Sequence, residues 1–157
     1  MSSPLEQMIC QAEGDYLSDV ALSEVQNFVD SYNLRVQTYN ALREKSDTLI
    51  LHTLRQLMRS HRQLVQAQGN SCKRDMGYIL RYIGIAILKG NKQDFTDLVC
   101  WMESITKSLK KEDSALKAYQ LLQQTIQTTM SEEMTQLVDP YLDYLIQALA
   151  TGSNMAP

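Results

Sequence analysis

One short segment gathers most of the side chains that could do chemistry together: Cys72-Lys73-Arg74-Asp75-Met76-Gly77-Tyr78-Ile79-Leu80-Arg81-Tyr82. On a helix, Cys72, Asp75 and Ile79 fall on one face at spacings of three and four. A thiol at the start of that helix, flanked by Lys73 and Arg74, has the features that favour the thiolate. Such a sulfur is suited to covalent addition. Asp75, one turn along, is placed to accept hydrogen bonds from a cationic or NH-rich ligand, and Arg74 can pair a carboxylate in bidentate fashion. The arrangement suits a long, conjugated dicarboxylate tethered to sulfur. The plain alternative is a cysteine that merely sits among surface charges at a helix start.

Other chemistries find less support. Haem needs a strong axial ligand facing a pocket, and the two histidines are His52 and His61, with none later in the chain. His52 lies on an apolar helix face and reads as a satisfied core histidine rather than a ligand. The sequence holds no HExxH, no paired-cysteine spacing, no GxSxG elbow and no glycine-rich phosphate loop, so metal and hydrolase chemistry have no carrier. Glu112-Asp113 and Glu132-Glu133 read as helix-start acids facing water. Met8, Met58, Met76, Met102 and Met130 read as core filler. These patterns do not describe an enzyme.

The elements that must position the cysteine segment are helices. Pro4, Pro140 and Pro157 are the only prolines of 157 residues and glycines number six, too few turn formers for many hairpins. Leu5, Met8, Ile9 and Ala12 share a face of a short leading helix that stops at Gly14-Asp15. Ser18 or Ser23 can cap the next, which carries Val25, Phe28, Val29, Tyr32 and Val36. Ser46-Asp47 offers a fresh cap before Leu49, Ile50, Leu54, Leu57 and Met58, and a polar joint is expected from about Ser60 to Ser71. The helix from Cys72 to Leu88 is the most apolar and takes the central position, closed by Gly90-Asn91. Further helices are expected from Asp94 to Leu109, from Asp113 or Ser114, and from Ser131, with Asp139-Pro140 kinking or restarting the last. Seven or eight helices without an internal repeat make a globin-like packing in one all-α domain over residues 1–157. About residues 1–17 form an extension, and 151–157 a frayed tail.

Composition limits the partners. A 44% hydrophobic, 21% charged chain of this length can bury a core. Net charge −3 argues against nucleic acid and anionic membranes, which ask for a concentrated basic surface. Three cysteines without a CxxC pair, and no charged-then-apolar start, read as reduced thiols in a cytosol-like compartment. The longest apolar run, near Ile79, is interrupted by Arg81 and ends at Lys89, too short and charged to span a bilayer.

Three stretches then resemble one family. CKRDMGYILRYIGIAILKGN resembles the chromophore-bearing helix of the phycobiliproteins, with its C-x-R-D pattern, aromatic residues, L-R and closing glycine. PYLDYLIQALA is similar to that family's last helix, and GDYLSDVALSEVQNFV to the start of its first globin-like helix. The matches lie in family order, span most of the chain and look closest to allophycocyanin-like or alpha-type subunits. The resemblance implies a globin-like fold with an N-terminal helical extension. It implies a phycocyanobilin-type linear tetrapyrrole held by a thioether to Cys72. Asp75 would accept from the central pyrrole nitrogens, Arg74 would pair a propionate, Lys73 would assist at the rim and Tyr78 would form a wall. The implied role is light harvesting and excitation transfer within a phycobilisome on the cytoplasmic face of the thylakoid membrane, cyanobacterial or plastid.

The implied partners are a homologous phycobiliprotein subunit, in a heterodimer or homo-oligomer, rings of three such pairs, and phycobilisome linker proteins. The apolar stripe of residues 4–15 is too short for an isolated helix and suits such a partner. Two departures from the family pattern stand out. Gly69-Asn70 runs at once into Ser71-Cys72, and SLKKEDSALK replaces a longer proline-containing loop. They favour the alternative of a pigment-free structural or regulatory member that docks on phycobilisome components. A second alternative is a globin-like sensor domain for another apolar ligand.

Overall fold

A computed structural model describes residues 4–154, with side chains to Thr151, and shows seven helices and no strand among them. They are α1 (Pro4–Gln11), α2 (Asp19–Asp30), α3 (Tyr32–Ser60), α4 (Arg62–Lys89), α5 (Gln93–Ser108), α6 (Glu112–Thr129) and α7 (Glu132–Asn154). The architecture is the expected all-α, globin-like one. The long antiparallel pair α3–α4 forms its spine, α6 packs on both α3 and α7, and α5 bridges α4 and α7. Leu57, Ile79, Ile83, Leu122, Ile126, Val138, Leu142 and Leu145 make the fully buried centre. They fall at three- and four-residue steps along α4, α6 and α7, and Leu57 stands seven residues after the buried Ile50 on α3, so each of these four helices turns one apolar stripe inward.

Several boundaries differ from the sequence expectation, each for a visible reason. No break occurs at Ser46-Asp47, because the buried series Leu42, Leu49, Ile50, Thr53 and Leu57 holds one phase across it and Asp47 simply faces water. The polar joint from Ser60 to Ser71 shrinks to a break at His61 and a kink at Gln68, whose φ of −132° leaves the helical region. Leu64 and Val65 continue the inward stripe between the two. Pro140 stands inside an uninterrupted α7. That helix also continues through Asn154, beyond the expected start of the tail; residues 155–157 lie outside the described ones.

Other expectations agree. Ser18 caps α2 by accepting the Ala21 N–H at 3.2 Å, and Ser131 accepts the Met134 N–H at 3.3 Å. Gly90, at φ +64°, ends α4 in a left-handed turn in which Asn91 N–H bonds Ala86 O. His52 is not a core histidine. It faces solvent beside the buried Thr53 and shares a 3.0 Å hydrogen bond with Gln56. Of the methionines, Met76, Met102 and Met130 are buried as expected, while Met8 is half-buried and Met58 exposed.

The N-terminal pair is unlike the rest. No residue of α1 or α2 is buried, and Ile9, Val20, Leu22 and Val29 are exposed along them. Such a concentration of exposed aliphatic side chains marks an interaction face.

Candidate functional site

The kink at Gln68 decides how the cysteine segment is presented. Cys72 lies four residues past that kink, near the start of the second of the two helical segments that meet at Gln68 within α4, on the face that also carries Gln68. That face looks into a cleft of about 830 Å³ between α4, α5 and the start of α6, at the upper part of the range of small-molecule sites. From α4 the cleft takes Gln68, Ser71, Cys72, Arg74, Asp75, Tyr78 and Tyr82. From α5 come Leu98, Trp101, Met102 and Ile105, and from beyond it Leu109, Lys111 and Tyr119. The floor is apolar and closed by Met76, Ile79 and the Tyr119 hydroxyl donating to Met102 Sδ at 3.9 Å. The rim is aromatic and open: Tyr78, Tyr82 and Trp101 line the cleft while remaining exposed.

Four of the five residues singled out from the sequence line this cleft. Cys72 is half-buried at one end, with Asp75 one turn further along. Arg74 lies at the rim, its Nε 3.6 Å from Asp75 Oδ1, with both side chains well exposed, so the pair adds little to stability. Tyr78 forms part of the wall, and the Arg81 guanidinium stacks over its ring at 4.7 Å. Lys73 is the exception. One position round the helix from Cys72, it lines a separate groove between α3 and α4 with Tyr39, Arg43 and Asp47.

The electrostatics also differ from the sequence reading. Cys72 is not biased toward the thiolate: burial pushes its thiol above the ordinary value, and the Asp75 carboxylate adds to that. Lys73 and Arg74 do not offset this; the cation that acts on the sulfur in the opposite direction is Lys111. Lys111 and Trp101 were both missed from sequence. Trp101 was legible, since it shares a helical face with Leu98 and Ile105. Lys111 carried no local signal, because it reaches the site only through the turn after α5.

Among the described residues no group of three or more His, Cys, Asp or Glu could hold a metal ion, and no helix is long and apolar enough to cross a membrane. The donor set suits a covalently held, nitrogen-rich carboxylate ligand: one thiol, one carboxylate a turn away, and a guanidinium at the rim of an aromatic cleft.

Comparison with known proteins gives the same family throughout. The family model described as Phycobilisome protein matches residues 8–149. The chain is 23% identical over 160 residues to the allophycocyanin alpha-B chain of Porphyra purpurea, covering 94% of this chain and 99% of that one. It is 27% identical over 148 residues to a putative allophycocyanin subunit alpha 2 of Nostoc sp., covering 88% and 92%. It is also 30% identical over 94 residues to the C-phycocyanin beta chain of Galdieria sulphuraria, covering 55% of each.

Proposed function

Because the chain belongs to the phycobilisome protein family, we propose that it is a light-harvesting subunit that holds a linear tetrapyrrole covalently on Cys72 and passes excitation energy to its neighbours. The family consists of structural, pigment-carrying proteins, and the chain is not an enzyme. One observation carries the pigment reading: Cys72, Asp75 and the rim residue Arg74 line one cleft of about 830 Å³ with an aromatic rim.

When bound, the tetrapyrrole supplies visible absorption through its conjugated system. The protein supplies the rest. Cys72 would hold the pigment through its sulfur, an S–C bond replacing the S–H bond and the proton passing to the pigment, so that no oxidant or reductant would be needed. Asp75 offers a carboxylate to the pyrrole N–H groups and favours their protonated form. Arg74, only weakly paired with Asp75, would be free to hold a propionate. Tyr78, Tyr82 and Trp101 would flank the bound pigment from the rim and limit its torsional freedom. Lys73, in its separate groove, serves only if its long stem swings round to the rim.

Assembly follows from the same membership: the family assembles from related subunits, and the exposed aliphatic face of α1–α2 is suited to a phycobiliprotein partner. Rings of three such pairs, bound by linker proteins at the cytoplasmic face of a thylakoid, complete the reading.

A second reading is a pigment-free member that docks on phycobilisome components. The raised Cys72 thiol favours it, since a protonated sulfur adds slowly. The test is to incubate the protein with phycocyanobilin, with and without a lyase, and to read zinc fluorescence on a denaturing gel. A fluorescent band lost in Cys72→Ala supports the pigment. A chain that stays colourless, yet co-purifies with phycobilisome subunits, establishes the second reading.

A further inference from the structure

We propose that Lys111 is the positioning residue that keeps Cys72 reactive, holding its ammonium at the thiol end of the cleft through Gln68. The inference rests on the reading of Cys72 as the attachment site, but it concerns a residue that no sequence motif marks.

The geometry begins at the end of α5. Lys110 takes a left-handed conformation, φ +54°, and Lys111 N–H bonds back to Thr106 O at 2.9 Å. This turn fixes the backbone of Lys111 at the mouth of the cleft. Its side chain then crosses to α4, where Nζ donates to Gln68 Oε1 at 2.6 Å. Gln68 is the kinked residue of α4 and lies one turn before Cys72 on the same face. The ammonium is thereby held at the Gln68 end of the cleft, whose lining Cys72 shares.

The charges facing Cys72 can be named element by element. On α4 they are Asp75, which disfavours the thiolate, and Arg74, which is spent on Asp75 at the rim. The cleft-lining residues of α5 are uncharged, and α6 contributes the buried Tyr119 phenol. Lys111 is thus the nearby cation that opposes burial and Asp75, and the direction of its effect on the thiol agrees with that placement. A fixed ammonium also stabilises the sulfur as the S–H bond breaks during addition.

The test measures the apoprotein thiol without any pigment. In Cys10→Ser/Cys100→Ser protein, which leaves Cys72 as the one thiol, iodoacetamide alkylation is followed from pH 7 to 10. Lys111→Gln is expected to slow alkylation at pH 8 about threefold and to move the pH profile upward. Lys111→Arg is expected to retain most of the rate, and the exposed Lys117→Gln to leave it unchanged. A Lys111→Gln protein, folded by circular dichroism, that reacts at the parent rate overturns the proposal, as does equal slowing by Lys117→Gln. Pigment uptake is scored separately. A parent chain that takes no phycocyanobilin while showing the Lys111-dependent profile overturns the pigment reading and leaves the role of Lys111 standing.

Discussion

Arg35 Nη1 donates to the carbonyl oxygen of Leu88 at 2.7 Å, tying the start of α3 to the end of α4. The same guanidinium donates to Phe28 O at 2.8 Å and lies 3.9 Å over the Phe28 ring. One buried cation therefore serves the last carbonyls of two helices, where the backbone lacks partners of its own. It also joins the α2 end of the N-terminal pair to the globin-like body. Replacing it leaves the Leu88 carbonyl short of a donor, while Phe28 O keeps the Ser31 hydroxyl at 2.9 Å. Arg35→Met is expected to lower unfolding free energy by about 2–4 kcal/mol in urea titration and to raise hydrogen exchange in α2 before the core. An unchanged midpoint would show that the clasp contributes nothing.

The neighbouring Gly90 supports the same junction. Its φ of +64° favours glycine, and a Cβ there would stand 2.5 Å from Phe28 Cε2. Gly90→Ala therefore meets both backbone strain and a clash with the ring that Arg35 covers. The expected loss is about 1–3 kcal/mol, and it should be less than additive with Arg35→Met because both displace Phe28.

At Lys110, a non-glycine left-handed position, the strain has no such packing role. Lys110 holds φ +54° with a side chain that does not line the cleft. Lys110→Gly should stabilise the chain by roughly 0.5–1 kcal/mol, read as a higher melting temperature, and should keep Lys111 in place. A drop in stability would contradict the turn geometry.

How much of this was legible beforehand depends on the range of the interaction. The inward stripes, the Ser18 and Ser131 caps and the Gly90 stop are local patterns of a few residues, and they were readable. The continuous α3 was not: Ser46-Asp47 looks like a cap, yet the unbroken phase from Leu42 to Leu57 is what the core rewards. Cys72 and Asp75 share the cleft by helical spacing, whereas Arg74, two positions from Cys72, lies between it and the α3–α4 groove and lines both. The protonation of Cys72 was misread from sequence neighbours. Its environment is set by burial against α5 and α6, and by Lys111 bonded across forty-three residues to Gln68. Periodicity does not see such a contact.

Thr135 shows a buried polar group that packing does not satisfy. Its Oγ1 is buried without a hydrogen-bond partner. An unpaired buried hydroxyl costs about 1–3 kcal/mol. Thr135→Val keeps the branched shape and removes that cost, so the variant should be as stable as the parent or up to about 1 kcal/mol more stable. A clear loss would mean that the hydroxyl is satisfied in solution.

The buried phenol and thiol together predict how stability responds to alkali. Burial raises Tyr119 well above the ordinary phenol value, with Asp75 and Cys72 adding to it, and raises Cys72 above the ordinary thiol value. In both cases the unfolded chain ionises at lower pH than the folded one. Above the unfolded values the folded state therefore binds more protons, and stability falls as pH rises. The thiol acts first, above its ordinary value near 9, and the phenol follows above 10. Below both, these groups leave stability flat. The chain should thus lose stability progressively as pH rises above about 9. Tyr119→Phe gives up only the 3.9 Å contact to Met102 and should reduce the loss above pH 10, leaving the share of the half-buried Tyr141 phenol, which burial also raises, while Cys72→Ser should flatten the earlier part. Urea midpoints taken at half-unit steps would separate the two. If Tyr119→Phe declines as steeply as the parent above pH 10, the alkaline transition belongs to another group, and the floor of the cleft is wetter than its packing implies.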